Sequence, residues 1–191
     1  TQIARKKPDA VYTSLWGGDL VSFIDQASLY GIFKNTELFA INLADYTTMS
    51  AIKKLPEGLH SGTRYVAAWP NTQENRDYDK SYTDLYEDHP TNWSWSASVA
   101  IDFLINALKE TGSTDNKKLA EAIKGKTRKS FMGVGNNNSV SIRDRDQTII
   151  DYSIGWGTTV SNEPYMTDIQ AADWDTIKEL EKIWLADKNW L

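Results

Sequence analysis

The sequence predicts an α/β protein with an open parallel β-sheet, and three observations support this fold class. Val11 and Tyr12 form a short β-prone run, which is typical of a buried strand. A turn at Gly17 and Gly18 comes next, and an apolar ladder with the spacing i, i+3, i+4, i+7 then indicates one face of a helix. A second apolar run at residues 37–42 follows that helix, so a right-handed crossover would make the two strands parallel neighbours.

The first helix has a predicted beginning and a predicted end. Asp19 suits the N-cap position, and Gly31 supplies a stop after Tyr30. The ladder between them consists of Leu20, Phe23, Ile24 and Ala27. These residues therefore predict that the helix packs its apolar face against the sheet.

The remaining elements follow from the same patterns. A third strand is predicted within residues 59–68, and the break at residues 69–72 marks a crossing between two parts of the protein. The helices predicted from apolar spacing cover residues 48–54, 74–87, 96–109, 119–123 and 173–185. In the most apolar of these helices, the residues expected to face inward are Val99, Ala100, Phe103, Leu104, Ala107 and Leu108. Residues 140–142 and 148–156 read as a hairpin around paired charges, whereas residues 160–170 read as irregular.

Composition excludes several classes of protein. The 191 residues are 40% hydrophobic and 25% charged, which is ordinary for a globular chain of one large or two small domains. The net charge of −5 and the lack of a basic stripe argue against a nucleic-acid partner. Cysteine is absent, which excludes disulfides and thiolate metal sites.

A candidate binding site lies just beyond the first two predicted strands. Ligands of open α/β sheets bind in the crevice outside the carboxyl ends of the strands, where Ser14, Trp16 and Gly17 are expected. Asn42 through Tyr46 would occupy the same edge. Free backbone N–H groups at the helix start favour an anionic ligand, although Asp19 offers its own negative charge to them. The alternative is an ordinary turn with a surface tryptophan.

Catalytic and metal chemistry have little support in the sequence. His60 and His89 are the only histidines, and neither belongs to an HExxH or triad signature. The acids between Asp77 and Asp88 lack the order and central glycine of a calcium loop, so a solvated helix face explains them better. We therefore expect no catalytic residue, no metal site and no cofactor.

A dense set of aromatic residues raises a carbohydrate-binding surface as a rival hypothesis. These residues are Trp69, Tyr78, Tyr82, Tyr86, Trp93 and Trp95. Core packing accounts better for the tyrosines at helical spacing. Trp93 and Trp95 precede the most apolar helix and are expected to line a cleft between two lobes.

Four stretches, taken in order, resemble one known family. The helix–glycine–helix passages at residues 107–115 and 119–125 are the most characteristic, and residues 8–18 and 131–147 fit the same pattern. Together they resemble the type I periplasmic solute-binding proteins of branched-chain amino acid type ABC importers. The resemblance covers nearly the whole chain.

The resemblance implies a type I periplasmic-binding-protein fold with one parallel open sheet lobe and helices of a second, incomplete lobe. Residues 1–69 would form a second-lobe segment, residues 70–128 a helical segment of the first lobe, and residues 129–191 a return to the second lobe. Family members carry considerably more chain before the equivalent of Thr1. The helices at residues 74–124 would then expose an apolar face, which predicts the missing N-terminal portion as a partner.

The resemblance also assigns ligand contacts. Trp16 takes the place of an aromatic residue that contacts solute, and Asn42 stands where the family has an acidic residue for the ammonium group. Asp45 could substitute for that acid. Otherwise the ligand is a carboxylate or amide without an ammonium group, with Trp16 as the stacking face and Ser14 and Asn42 as hydrogen-bonding residues.

The implied function is a non-enzymatic extracytoplasmic receptor, periplasmic or membrane-associated in a Gram-positive cell. It would close two lobes around a small amino-acid-like or carboxylate solute and deliver it to an ABC permease. The sensing domain of a signalling receptor with the same fold is the alternative. An enzyme acting on a small solute is a third hypothesis, for which no nucleophile–base pair can be named.

Overall fold

Two separate β-sheets organise the computed structural model, which describes residues 2–134 and 138–190. One sheet has five strands in the order β1-β2-β3-β7-β8, and the other has three in the order β4-β5-β6. The strands are β1 Ala10–Thr13, β2 Glu37–Ala40, β3 His60–Thr63, β4 Thr127–Val134, β5 Ser139–Ile142, β6 Ile149–Ile150, β7 Gly155–Thr159 and β8 Met166–Ala171. The helices are α1 Gln2–Lys6, α2 Gly17–Leu29, α3 Tyr46–Ala51, α4 Gln73–Tyr86, α5 Asn92–Thr111, α6 Asn116–Ile123 and α7 Trp174–Asp187, with a 3-10 turn at Ile32–Lys34.

The first sheet confirms the predicted parallel pairing and extends it. Strands β1, β2 and β3 run parallel, with Thr13 opposite Ala40 in the register of β1 and β2. Strand β7 then pairs antiparallel with β3, so that Gly155 at its start lies opposite Thr63 at the end of β3. Strand β8 pairs antiparallel with β7. The carboxyl ends of β1–β3 and β8 therefore share one edge with the beginning of β7.

The five-stranded sheet has a core on the face that α2 and α3 cover. Leu20 and Ile24 of α2 are fully buried there, as their spacing predicts. The other buried members of this core are Leu38, Ala40, Leu43, Ala44, Met49, Ile52, Leu55, Leu59, Val66 and Met166. We call residues 10–63 and 155–171, with this core, the parallel-sheet unit.

The second sheet packs with the helices that precede it. Its core consists of Tyr65, Trp95, Val99, Phe103, Met132, Val140 and Ile142. Trp95, Val99 and Phe103 recur every fourth residue on α5, because positions three and four apart share one face of a helix. We call residues 73–150, with this core, the helical unit.

The described part of the chain crosses between the two units near residue 65, again between β6 and β7, and once more after β8, because α7 is attached to the helical unit. Tyr65 belongs to the core of the helical unit, whereas the next residue, Val66, belongs to the core of the parallel-sheet unit. The second crossing lies between β6 and β7, since these strands belong to different sheets. The first crossing lies a few residues before residues 69–72, and the division of the chain into lobe segments stays a prediction.

The return of the chain differs from the sequence prediction. The third segment was expected to rejoin the parallel sheet from residue 129, but β4, β5 and β6 form their own sheet and pack beside α5. The return begins with β7 at Gly155. An apolar strand carries no mark of which sheet it joins, because pairing depends on distant partners. Residues 135–137 of that predicted segment lie outside the described residues.

Several local predictions are corrected. Helix α2 begins at Gly17 with Trp16 at the N-cap position, so Asp19 lies inside the first turn instead of capping it. Gly17 has a φ of +53°, a left-handed conformation that glycine adopts at no steric cost. Residues 166–171, expected to be irregular, form the edge strand β8. Leu104 is 40% exposed instead of inward-facing.

Ion pairs attach helix α7 to the helical unit. Arg143 contacts Glu181 at 2.6 Å and Asp146 at 2.6 Å, which confirms paired charges at the predicted hairpin turn. Lys178 contacts Asp151 at 2.5 Å. These contacts hold the end of the chain against the β5–β6 hairpin.

The side of α5 opposite its buried stripe is open. Ile101, Leu104 and Ile105 are all exposed there. In the described part of the chain, no helix is long and apolar enough to cross a membrane.

Candidate functional site

A cleft of about 820 Å³ lies at the carboxyl edge of β1–β3, between this edge and the start of α5. That volume is in the range of small-molecule sites, which are usually 300–1,000 Å³. The residues that line the cleft are Trp16, Gly17, Ile41, Asn42, Ala44, Asp45, Thr47, Thr48, Gly62, Thr63, Arg64, Asn92, Trp93, Ile154, Gly155, Trp156, Gln170, Ala171 and Ala172. Both units therefore contribute to one cleft.

Trp16 and Gly17 form the part of the wall that follows β1. The indole of Trp16 is 66% exposed although it lines the cleft, so it is available to a ligand and is not part of a core. Gly17 begins α2, and no side chain caps this helix start. The first-turn N–H groups of a helix carry partial positive charge when they are uncapped.

Asn42 holds two neighbouring loops together. Its Nδ2 donates a hydrogen bond to the carbonyl oxygen of Ser14 at 3.1 Å and approaches that of Leu15 at 3.4 Å. An amide donor is needed in this position, because a carboxylate could only accept. Asn42 thus fixes the loop that carries Trp16.

Asp45 already has hydrogen-bond partners on both carboxylate oxygens. Its Oδ1 accepts from the backbone N–H of Thr47 at 3.2 Å and from the Thr47 hydroxyl at 2.5 Å, which caps α3. Its Oδ2 accepts from Nδ2 of Asn92 at 3.1 Å. The carboxylate therefore links the parallel-sheet unit to the start of α5.

Trp156 supplies an aromatic surface on the β7 side of the cleft. Its ring lies so close to Gly62 that an added Cβ there would be 3.3 Å from two of its ring carbons. It also stacks near Phe39, with ring centroids 6.1 Å apart. The absence of a side chain at Gly62 is thus what allows the indole to lie against β3.

Arg64 is the only cation among the lining residues, and it follows directly after β3. Its guanidinium carbon lies 5.7 Å from the ring centroid of Trp93, a cation–π distance. Among the described residues Arg64 forms no salt bridge, and its side chain is exposed. The cleft thus presents an uncommitted guanidinium beside an aromatic face.

The structure brings together four of the five predicted ligand-contact residues, namely Trp16, Gly17, Asn42 and Asp45. Ser14 does not line the cleft and contributes its carbonyl oxygen to Asn42. Trp93 lines the cleft as expected, whereas Trp95 is buried in the core of the helical unit, because the stripe of α5 that packs inward includes position 95.

Sequence reasoning missed several lining residues. Arg64 had a usable signal, since it follows the third parallel strand at the same edge as Trp16 and Asn42. Trp156 and Gln170 had none, because β7 joins the sheet through an antiparallel pairing with β3 that spans about a hundred residues of sequence, and β8 joins only through β7.

The histidines and the other aromatics serve packing and pairing. His60 lies 3.0 Å from Glu37 and stacks on Phe39 with centroids 4.5 Å apart. Nδ1 of His89 lies 2.7 Å from Asp79. Tyr78 packs against the core of the helical unit, as predicted, whereas Tyr86 is 60% exposed and does not. In residues 2–134 and 138–190, no group of three or more His, Asp or Glu could hold a metal ion.

A second, smaller cavity of about 350 Å³ lies behind α3, with Tyr46, His89 and Glu163 among its lining residues. The Tyr46 hydroxyl donates to Glu163 at 3.2 Å. Burial, together with the nearby Glu163 carboxylate, raises the pKa of Tyr46 to about 12, so this hydroxyl remains protonated at neutral pH.

Comparison with known proteins identifies the family of the chain. Residues 1–153 match the family described as periplasmic binding protein. No curated protein sequence matches the chain significantly.

Three solved structures illustrate the similarity. A solute binding protein of an ABC transporter from Rhodopseudomonas palustris BisB5, in complex with 3,4-dihydroxy benzoic acid, has a TM-score of 0.77 at 20% identity over 91% of this chain and 47% of its own. A second R. palustris solute binding protein, in complex with benzoate, has a TM-score of 0.68 at 18% identity over 91% of this chain and 47% of its own. A leucine binding protein from Thermotoga maritima has a TM-score of 0.63 at 20% identity over 89% of this chain and 46% of its own.

This chain therefore spans about half the length of the solved proteins that it resembles. The low identities make these likenesses evidence for the fold. The family is that of periplasmic binding proteins, and the two R. palustris structures are solute binding proteins of ABC transporters. The match over residues 1–153, with the parallel sheet and the cleft at its carboxyl edge, shows that the chain belongs to the periplasmic binding protein family.

Proposed function

We propose that this chain is part of the solute-binding receptor of an ABC importer, and that it binds a small carboxylate without an ammonium group. The observation that carries this proposal is Arg64, an exposed guanidinium without an ion-pair partner among the described residues, which lines a cleft together with exposed tryptophans. Arginine is well suited to carboxylates because its planar donors match the two oxygens.

The backbone around the cleft also favours an anion. Helix α2 begins at Gly17 and helix α5 begins at Asn92, and both residues line the cleft. The N-terminus of a helix carries about half a positive charge. The end of α2, which no side chain caps, would favour a carboxylate in the cleft, whereas the end of α5 contributes less because the Thr91 hydroxyl already accepts from the N–H groups of Trp93 and Ser94.

The acidic side of the cleft gives less support to an ammonium group. Asp45 is the only lining carboxylate, and its two oxygens already accept hydrogen bonds from Thr47 and Asn92. Asn42 uses its amide nitrogen on the Ser14 carbonyl. An amino acid would need a negative partner for its ammonium group, whereas a simple carboxylate would not.

The apolar part of the ligand would contact Trp16, Trp93 and Trp156, which are all lining residues. Indole rings provide large apolar faces on which a flat ring can stack. Among the similar solved proteins, two hold 3,4-dihydroxy benzoic acid and benzoate, and another is a leucine binding protein. The aromatic cleft of this chain supports an aromatic carboxylate over an amino acid as the ligand.

Lobe closure is the mechanism that we propose. The parallel-sheet unit would belong to the second lobe and the helical unit to the first, and the cleft between them would narrow around the solute. Binding energy would shift the open–closed equilibrium, and the ABC permease would recognise the closed form outside the cytoplasm. The open side of α5 would be covered by a preceding portion of the same protein, since Ile101 and Ile105 are exposed there.

A calorimetric titration with benzoate and leucine tests the ligand class. We expect benzoate to bind and Arg64→Gln to weaken its binding at least tenfold, because the substitution removes the charge but keeps a polar side chain of similar reach. Leucine should bind more weakly than benzoate. Arg5→Gln, on the short helix α1 away from the cleft, is the matched control and should leave binding unchanged.

Two results would contradict the proposal. Tighter binding of leucine than of benzoate would restore an ammonium-binding role to Asp45. Unchanged benzoate binding by Arg64→Gln would remove the guanidinium from the site. Native mass spectrometry of the purified protein would also give the mass of any solute that the protein retains.

A further inference from the structure

A hydrogen bond between Asp45 and Asn92 joins the two sides of the cleft. Nδ2 of Asn92 donates to Oδ2 of Asp45 at 3.1 Å, and both residues line the cleft. Asp45 lies between β2 and α3 in the parallel-sheet unit, whereas Asn92 is the first residue of α5 in the helical unit. Asn92 is 8% exposed, which limits the competition of water for this bond. The bond therefore ties the start of α5 to the opposite wall.

The neighbours of these two residues also contact each other. The ring of Tyr46 packs edge-on against His89, with ring centroids 4.9 Å apart. Nε2 of His89 lies 3.9 Å from Oε2 of Glu163, in the connection between β7 and β8. Tyr46 and His89 line the smaller cavity, whereas Asp45 and Asn92 line the cleft. The two units thus meet at a junction between the cleft and the smaller cavity.

The start of α5 also carries the aromatic face that Arg64 contacts. Trp93 directly follows Asn92, and its ring centroid lies 5.7 Å from the guanidinium carbon of Arg64. Trp93 and Arg64 both line the cleft, and Trp93 is 59% exposed. A displacement of the start of α5 would therefore move a stacking face for the solute and the aromatic support of the guanidinium together.

A carboxylate in a cleft for an anion calls for a physical reason. Asp45 lines the same cleft as Arg64, and its negative charge would repel a carboxylate solute. Both of its oxygens accept hydrogen bonds, from Thr47 on one side and from Asn92 on the other. A hydrogen bond to an ionised acceptor is stronger than one to a neutral acceptor. An aspartate at this position thus weakens the attraction for an anion but strengthens the contact between the two walls.

We infer that Asp45 is a positioning residue of the cleft, whose bond to Asn92 fixes the start of α5 and thereby places Trp93 and the Arg64 guanidinium for the solute. This inference rests on the proposed function, since it assumes a carboxylate that binds at Arg64. Asp45 itself does not contact the solute. A solute that needs both walls at once binds only to molecules in which the walls are correctly spaced, so its apparent affinity falls with the fraction of such molecules.

Three possible roles of Asp45 predict different results when the carboxylate is removed. If Asp45 acted only as a nearby negative charge, its removal would tighten the binding of an anion. If it bound an ammonium group directly, its removal would weaken the binding of leucine and not that of benzoate. If it positions α5, its removal weakens the binding of benzoate even though a repulsive charge has gone.

The first test is a calorimetric titration of the Asp45→Ser variant with benzoate. Serine is also a good N-cap for α3, but its shorter side chain does not reach Asn92. We expect benzoate to bind roughly three- to tenfold more weakly, the size of one lost hydrogen bond. Asn92→Ser removes the same bond from the other wall and should have a similar effect. The two changes combined should be little worse than either alone, because both act through one contact.

Helix α6 offers matched controls for both changes. Asp115 caps α6 through the N–H groups of Lys117 and Lys118, and Asn116 is the first residue of that helix. Neither Asp115 nor Asn116 lines the cleft. Asp115→Ser and Asn116→Ser therefore make the same two substitutions at the start of another helix, and they should leave benzoate binding unchanged.

The second test measures the placement of α5 without a solute. The chain has no cysteine, so spin labels can be attached at two chosen positions. Ser50→Cys on α3 and Lys109→Cys on α5 are suitable, because both side chains are exposed. Adding Asp45→Ser to this labelled protein should broaden the distribution of distances between the labels, because the start of α5 loses its contact with the opposite wall. Adding Asp115→Ser should not broaden it.

The outcomes separate this inference from the proposed function. Unchanged or tighter benzoate binding by Asp45→Ser would overturn the inference, as would an unchanged distance distribution. Weaker binding of leucine alone would also overturn it and would assign Asp45 to an ammonium group. If the unaltered protein binds no benzoate, the proposed function fails, and the distance measurement decides whether Asp45 positions α5. Asn92→Ser keeps both tests decisive if Asp45→Ser is poorly folded.

Discussion

In the parallel-sheet unit, the cleft residues that follow β1 and β2 sit on loops fixed by hydrogen bonds, whereas in the helical unit the cleft residues sit at the start of a single helix. Asn42 ties the loop of Trp16 to the end of β2, and Asp45 caps α3. On the other side, Asn92 and Trp93 depend on the packing of α5 as a whole. The wall from the parallel-sheet unit is held by hydrogen bonds between nearby loops. The wall from the helical unit is held by the packing of α5 in its core.

The two units also differ in how they hide apolar surface. In the parallel-sheet unit, α2 and α3 cover a core of twelve buried residues. In the helical unit, α5 packs one stripe inward and leaves the opposite stripe open. This difference agrees with the proposal that a preceding portion of the same protein covers the open side of α5.

The largest expected effect concerns the two stripes of α5. Phe103 is 3% exposed and Leu104 is 40% exposed, although they are neighbours in sequence. Phe103→Ala should lower the free energy of unfolding by about 3–5 kcal/mol, because it removes a buried ring and leaves a cavity. Leu104→Ala should lower it by less than about 1 kcal/mol. Urea denaturation measures both, and similar losses would show that the outer stripe is not open.

The next effect compares the two walls through their tryptophans. Trp16→Ala and Trp93→Ala should each weaken benzoate binding at least tenfold, because each removes a large apolar face from the cleft. Trp190, which is 65% exposed beside Trp184, is a matched control, and Trp190→Ala should leave the affinity unchanged. Loss of binding with only one of the first two variants would mean that a single wall holds the solute.

A smaller effect is expected from Asn42→Asp in the locally organised wall. The substitution replaces the amide donor with a carboxylate that faces the carbonyl oxygen of Ser14 at the distance of the present hydrogen bond, 3.1 Å. We expect a loss of about 1–3 kcal/mol in unfolding free energy from the broken bond and the repulsion. Thermal and urea denaturation test this. Unchanged stability would show that the loop of Trp16 does not depend on Asn42.

The smallest effect concerns the ion pairs that attach α7 to the helical unit. Hydrogen bonds from Arg143 hold the pKa of Asp146 well below its usual value. A depressed folded pKa stabilises the protein above the unfolded pKa, near 3.9, and that stability is lost as the pH falls through the folded value. Arg143→Met should therefore cost less than about 1 kcal/mol at pH 7, since the pair is largely solvated, and the loss should shrink below pH 4.

Denaturation of the Arg143→Met variant at pH 7 and at pH 3 measures this difference. Lys188→Met is a suitable control, because Lys188 pairs only with its neighbour Asp187 in an exposed position. A loss that stays constant between the two pH values would show that Asp146 contributes no charge-dependent stability.

Local sequence patterns predicted most of the elements correctly. The spacing of Leu20 and Ile24 predicted the buried face of α2, and the order strand–helix–strand predicted the parallel pairing of β1 and β2. The position of Trp16 and Asn42 after those strands predicted the edge at which the cleft lies. These features depend on residues close in sequence, whose geometry the backbone periodicities fix.

The sequence alone therefore determined the fold class, the positions of most helices and one wall of the cleft. Only the tertiary structure decided that β4–β6 form a separate sheet, that Trp156 reaches the cleft over Gly62, and that the Asn92 amide donates to Asp45. The physical reason is that these features depend on contacts between residues far apart in sequence. Strand pairing and the direction of an amide are set by the partner, and a partner about fifty or a hundred positions away leaves no mark in the local pattern.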